Sequence, residues 1–202
     1  MRRGIGSYVS KGYGGSRGAA ARMGQAATTA SRAFNILSSL AEGTASTEQL
    51  GFDPTTLAGR PVDDVVNALV DGICRNDTTL DDAAGRQAVN DALAEVLEAN
   101  PGLDPLAMTP LAINEVYLRT VSYHVFSDLL LDIGTTMQKA ADGNYVLYND
   151  RCITIRDTIR EMFREKFQGV RDAGHRVTSA TSDAIARDVI RDVMDVFEGW
   201  MQ

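Results

Sequence analysis

Few side chains able to attack, ligate, relay a proton or grip an anion stand at productive spacing in this 202-residue sequence. His124 and His175 are its only histidines. A metal centre asks for a His-Glu-x-x-His run or clustered cysteines, and neither is present. His124 falls inside an apolar helical pattern and reads as a hydrogen-bonded core or boundary histidine, whereas His175 follows Gly174 in a loop. Cys74 and Cys152 sit among apolar helix positions with no histidine or Cys-x-x-Cys partner nearby, which marks them as small buried hydrophobes. The acidic pairs Asp63-Asp64 and Asp81-Asp82 suit the first turns of helices, where carboxylates stabilise the dipole without any substrate. Asp91, Glu95 and Glu98 share a helical face and read as solvated surface. Arg156, Arg160 and Arg164 recur every four residues as a phosphate grip would, yet the interleaved Glu161 and Glu165 turn them into surface ion pairs of about a few tenths of a kcal/mol each. No catalytic residue, metal ligand or cofactor site is therefore assigned, and an enzyme centred on His124 or His175 ranks last.

The segment that does stand out is Arg2-Arg3-Gly4-Ile5-Gly6-Ser7-Tyr8-Val9-Ser10-Lys11-Gly12-Tyr13-Gly14-Gly15-Ser16-Arg17-Gly18. Its glycines match neither the G-x-x-x-x-G-K-[ST] phosphate loop nor a G-x-G-x-x-G placed between a strand and a helix. Tyr8 and Tyr13 among cations fit stacking on single-stranded nucleic acid. They fit equally a protein interface in which aromatic rings anchor in pockets and charges steer the approach. Residues 1–41 carry six cations and no acid, leaving 14 basic against 27 acidic residues, −13, for the rest. Such a body repels a polyanion lying across it, so protein docking is the first reading and nucleic-acid binding the alternative. Glycine entropy opposes regular structure here, and the arm is expected to order only on contact with its own acidic body, an acidic protein or nucleic acid.

Composition excludes several classes. With 44% apolar residues the chain can build a core, and two cysteines cannot make a disulfide scaffold. The most apolar run, Leu111 to Ile133, is interrupted by Glu115, Arg119, Asp128 and Asp132, so no membrane span is expected. No secretory or lipidation signal opens the chain, which makes the cytoplasm the expected address.

The elements that must position these residues read as helices throughout. One runs from Ala19 to about Glu42 and stops at Gly43; Thr44 to Pro61 reads as a connection. Val62 to Arg75 and Leu80 to Ala99 form a helical pair joined by turn and cap chemistry at Asn76-Asp77-Thr78-Thr79. Thr109-Pro110 opens the longest helix, with Leu111, Leu118, Val121, Val125, Leu129 and Ile133 on one face and Ile113, Tyr117, Leu130 and Leu131 opposite. Apolar residues on two faces make it the central spine, about 35 Å from Leu111 to Ile133 at 1.5 Å per residue. Gly143 to Asp150 reads as a loop with room for a short extended piece. Amphipathic helices from about Asp150 to Gln168 and Ser182 to Met201 complete an all-α bundle of five or six helices behind a flexible basic arm, divided as residues 1–18 and 19–202.

The run Met1 to Val9 through Lys11-Gly12-Tyr13-Gly14-Gly15-Ser16, then Ala20-Ala21-Arg22-Met23-Gly24 and the helix to Leu40, resembles the QatB component of bacterial Qat anti-phage defence systems. The helical remainder, ending Asp195-Val196-Phe197-Glu198-Gly199-Trp200, is similar to the same family's C-terminal part. The resemblance implies a non-enzymatic subunit working with an ATPase, a TatD-like nuclease and, as main partner, a QueC-like enzyme that attaches a deazaguanine to the N-terminal glycine of its partner. It implies a docking role for the arm, with Arg2, Arg3, Tyr8, Lys11, Tyr13, Gly14, Gly15 and Arg17 as the residues expected to bind the QueC-like partner. Family members carry a Gly-, Ser- and Pro-rich leader starting Met-Gly, whereas this sequence starts Met1-Arg2; the expectation is an excised fragment or a missing modification site, and no residue here is named as acceptor.

Overall fold

A computed structural model describes residues 2–74 and 80–200 of the chain. The turn expected over Asn76–Thr79, residues Met1, Arg75 and Met201, and the side chain of Arg2 lie outside the described residues. The described residues form helices and no strand: α1 (Arg2–Ser7), α2 (Ser16–Arg22), α3 (Gly24–Ala41), α4 (Thr47–Leu50), α5 (Val62–Ile73), α6 (Leu80–Ala99), α7 (Pro110–Ala140), α8 (Tyr145–Asp172) and α9 (Ser182–Gly199). A π-helical turn spans Tyr8–Gly12 and a 3₁₀ turn Pro54–Leu57. The all-α bundle expected from the sequence is the fold.

The spine is α7. Thr109 caps it, its hydroxyl accepting the Ala112 N–H, and Pro110 occupies the first position, where its missing donor costs nothing. Packed between α3, α6 and α8, it buries residues all round, from Ile113, Val116 and Tyr117 to Val121, Val125 and Leu129. Two of its expected core positions are corrected, because Leu111 and Leu131 are exposed where no neighbouring helix covers them. Tyr117 shows how the core is keyed. Its ring meets Phe34 and Phe167 edge-on at 5.6 and 5.2 Å, and its buried hydroxyl donates to the Ser182 carbonyl at 2.5 Å, tying α3, α8 and α9 to the spine.

Three readings change. The helix expected over Ala19–Glu42 is broken at Met23, whose side chain is buried, so that α2 and α3 each pack on α9. Of the loop expected at Gly143–Asp150, everything from Tyr145 on is helix: Asn144 Oδ1 accepts the Leu147 N–H at 2.9 Å, and this cap starts α8 five residues early despite strand-forming Tyr145, Val146 and Tyr148. The N-terminal arm is folded too. Ile5, Val9 and Ala19 are buried, and α1, the π turn and α2 all pack on α9. Burial of these apolar residues offsets the entropy of ordering the glycines, so the contact on which the arm orders is with its own chain.

Candidate functional site

The folded arm is held by a few specific contacts. Gly15 takes φ 106°, a conformation closed to most L-residues, and this turn lets its N–H reach the Val9 carbonyl at 3.0 Å. The next N–H, of Ser16, donates to Glu198 Oε2 at 2.8 Å, so the carboxylate of α9 satisfies the opening of α2. Gly18 is required for a different reason, since a Cβ there would run into the Tyr13 carbonyl oxygen. Tyr13 closes the loop. Its hydroxyl donates to Asp132 of α7, and its ring meets Tyr8 edge-on, with centroids 5.0 Å apart and planes at 77°. Burial, and then the neighbouring carboxylate, push the Tyr13 phenol well above its ordinary range. Arg22 Nε lies 3.9 Å from the same Asp132 oxygen.

The expected binding residues therefore divide. Tyr8, Tyr13 and Gly15 are turned into the fold, while Arg3, Lys11, Gly14 and Arg17 are exposed. Cations rather than rings face outward. The edge of one tyrosine ring covers a face of the other and both are partly buried, which leaves less aromatic surface for base stacking and weakens the nucleic-acid alternative.

Between the arm and the far end of α7 runs an apolar groove of about 340 Å³, with Ile5 and Tyr8 on one wall, Ile133, Met137 and Ala140 on the other, and Arg151 of α8 at its end. Arg151 also donates to the Ala140 carbonyl at 3.3 Å, capping α7. The sequence carries little signal for this groove: past Ile133 only Met137 and Ala140 continue its apolar face, and Ile5 and Tyr8 are set among glycines and serines.

Elsewhere the chemistry candidates are structural. His124 is wholly buried, its Nε2 3.7 Å from Oδ1 of equally buried Asp128, one turn on along α7. That matches the core reading. His175 lies in the exposed connection between α8 and α9. The reading of Glu95 as solvated surface is corrected: its Oε2 accepts from Tyr123 at 2.6 Å and from Arg119, with Arg160 Nη1 at 3.9 Å, so it clasps α6, α7 and α8 together. Burial and the adjacent Glu95 raise the Tyr123 phenol. Arg164 does make the expected surface pair, with Glu161 at 2.8 Å. Among the described residues no group of three or more His, Cys, Asp or Glu is arranged to hold a metal ion, and no helix is long and apolar enough to cross a membrane.

No curated protein and no solved structure matches the chain. A family model does, over residues 14–197, taking in α2 through most of α9 and the last part of the arm. That span covers the spine, the helices packed on it and the Glu198-facing turn's following helix, and it makes the chain a member of the family of the Qat anti-phage system associated protein QatB.

Proposed function

We propose that within the Qat system this chain is a non-catalytic adaptor and substrate subunit, one that docks onto a QueC-like enzyme through its N-terminal segment so that a protein N-terminus is presented for modification. Membership of the family gives the chain a role in Qat anti-phage defence. The observation that carries the finer reading is the charge layout: Arg3, Lys11 and Arg17 stand exposed on a segment without a carboxylate, mounted on a body of net charge −13. A cationic patch raised on an acidic scaffold steers an acidic protein surface to one place and repels it elsewhere. His124, the strongest candidate for catalysis, has no exposure through which to meet a substrate. Contacts with the ATPase and the TatD-like nuclease belong to the same reading, as does assembly in the cytoplasm.

Removing residues 1–18 would strip Ile5 and Val9 from the core, so charge reversal is the cleaner test. The triple variant Arg3→Glu, Lys11→Glu, Arg17→Glu is expected to keep the fold and to weaken binding of the purified QueC-like subunit by about 10- to 100-fold at low salt, with a smaller loss at high salt. Unchanged affinity would remove the segment from the interface. Tight binding of single-stranded DNA or RNA by the wild type, lost in a Tyr8→Ala, Tyr13→Ala variant, would favour the nucleic-acid alternative.

A further inference from the structure

We infer that the groove between α1 and the end of α7 is the seat of an acidic, amphipathic segment of a partner protein, whose apolar side chains lie against Ile5, Tyr8 and Met137 while a carboxylate pairs with Arg151. The inference rests on the docking reading above and adds to it the place and the chemistry of what binds. Three observations carry it. The groove has an apolar floor and is about 340 Å³ in volume, and Arg151 is the charge among its described lining residues. Its arm wall belongs to the segment whose exposed charges, Arg3, Lys11 and Arg17, are all positive. An occupant bearing carboxylates can pair with Arg151 in the groove and is attracted by the cations of the segment that forms its wall, and a basic one meets repulsion. At the α7–α8 corner, further apolar side chains are exposed. Tyr145, Val146, Leu147 and Ile153 of α8 are exposed, the first two by 73% and 72%, and these four make up half of the large exposed hydrophobic residues of the described chain. Leu147 lies one helical turn before Arg151, so it extends the groove's far end. A groove prolonged past its charged end by Leu147 suits an amphipathic segment laid along it.

The test places a photo-crosslinking p-benzoylphenylalanine at Thr136, an exposed groove position, in the full chain mixed with the purified Qat subunits, and reads the adduct by peptide mass spectrometry. The expected product joins position 136 to a subunit peptide with an Asp or Glu within four residues of a large apolar side chain. An adduct with a second copy of this chain, with a basic peptide, or none at all under conditions where the complex forms, overturns the inference. In parallel, Ala140→Trp and Gly4→Leu fill the groove from opposite walls; a Cβ at Gly4 meets nothing within 4 Å, and Ala140 is exposed, so thermal unfolding should be unchanged. Each is expected to weaken the complex at least about tenfold, the loss of a hot-spot contact. If one of them unfolds, the other decides. A silent plug beside an effective Arg3/Lys11/Arg17 reversal sinks the groove and leaves the docking segment standing; an effective plug beside a silent reversal does the opposite.

Discussion

The spine α7 and the N-terminal segment are both helical and both packed, but they are held by different physics. Around α7 the apolar contact is continuous, and polar side chains appear as keys between helices: Tyr117 to Ser182, Tyr123 to Glu95. The N-terminal segment has few apolar anchors, Ile5, Val9 and Ala19, set in glycine-rich backbone, and it leans on side-chain contacts to Asp132 and Glu198. Opening free energies follow buried apolar contact, so the segment should be a separate unit near the low end of the stability range while the spine shares the global value. In the proposed docking role, the weaker unit could adjust to a partner without melting the scaffold that presents it.

The largest effect should come from the scaffold side. Phe163 is fully buried on α8 and packs near Phe167, with centroids 6.4 Å apart. Phe163→Ala is expected to cost about 3–5 kcal/mol, through lost burial and the cavity left behind. Chemical denaturation followed by circular dichroism should show one transition at a lower midpoint, with the N-terminal segment lost along with the bundle it needs. A transition confined to α8 would mean the spine is not the shared core described here.

The next effect should separate the two units. Gly18→Ala pushes a methyl group into the Tyr13 carbonyl oxygen, and backbone cannot swing aside as a long side chain can. Forced displacement of this kind costs about 1–3 kcal/mol. Hydrogen exchange should find faster exchange across residues 2–22, with α7 amides protected as in the wild type. Equal loss of protection in both regions would make the segment an integral part of the core and break the contrast.

What was legible in the sequence follows the same line. Helices with a repeating apolar stripe could be placed, because a 3.6-residue period survives whatever packs on it; α6 runs from Leu80 to Ala99 as expected, and Thr109-Pro110 announced the start of α7 through side-chain chemistry alone. The arm's folding was not legible. Ile5 and Val9 are two apolar residues among glycines, and their burial depends on α9, far away in the chain. The start of α8 was missed because Tyr145, Val146 and Tyr148 favour strands on their own, and the Asn144 cap with its docking beside Gly134 overrules them. At the candidate site the cations were legible as charges that stay in water, and Arg3, Lys11 and Arg17 are exposed, but Tyr8 and Tyr13 turn toward the fold, since nothing local distinguishes a tyrosine left in water from one that anchors its own chain. Asp132 and Glu198, which receive the segment, carry no local mark of that role in the sequence. Their role comes from pairings across 119 and 182 residues of sequence.

The smallest effect probes the Tyr13 latch itself. Tyr13→Phe keeps the ring against Tyr8 and removes only the hydroxyl that donates to Asp132. Asp132 keeps Arg22 nearby and some access to water, so the cost should be about 1 kcal/mol and local to the segment. Its pH signature distinguishes it from a packing defect. Burial and Asp132 hold the Tyr13 phenol above its ordinary value, so the folded state retains a proton that the unfolded chain releases first. The stabilisation linked to that proton is complete below about pH 10, the unfolded phenol's range, and falls as pH rises through the alkaline region toward the folded value. Tyr117 and Tyr123 are raised as well and titrate with the core. Hydrogen exchange across residues 2–22 of the wild type, compared with Tyr13→Phe, isolates the latch. Between pH 9 and pH 11, after correction for intrinsic exchange, wild-type protection of the segment should decline toward that of the variant, while the variant's own protection stays level. Parallel slopes for the two proteins would show that the hydroxyl carries no linked proton and that ring packing alone holds the segment down.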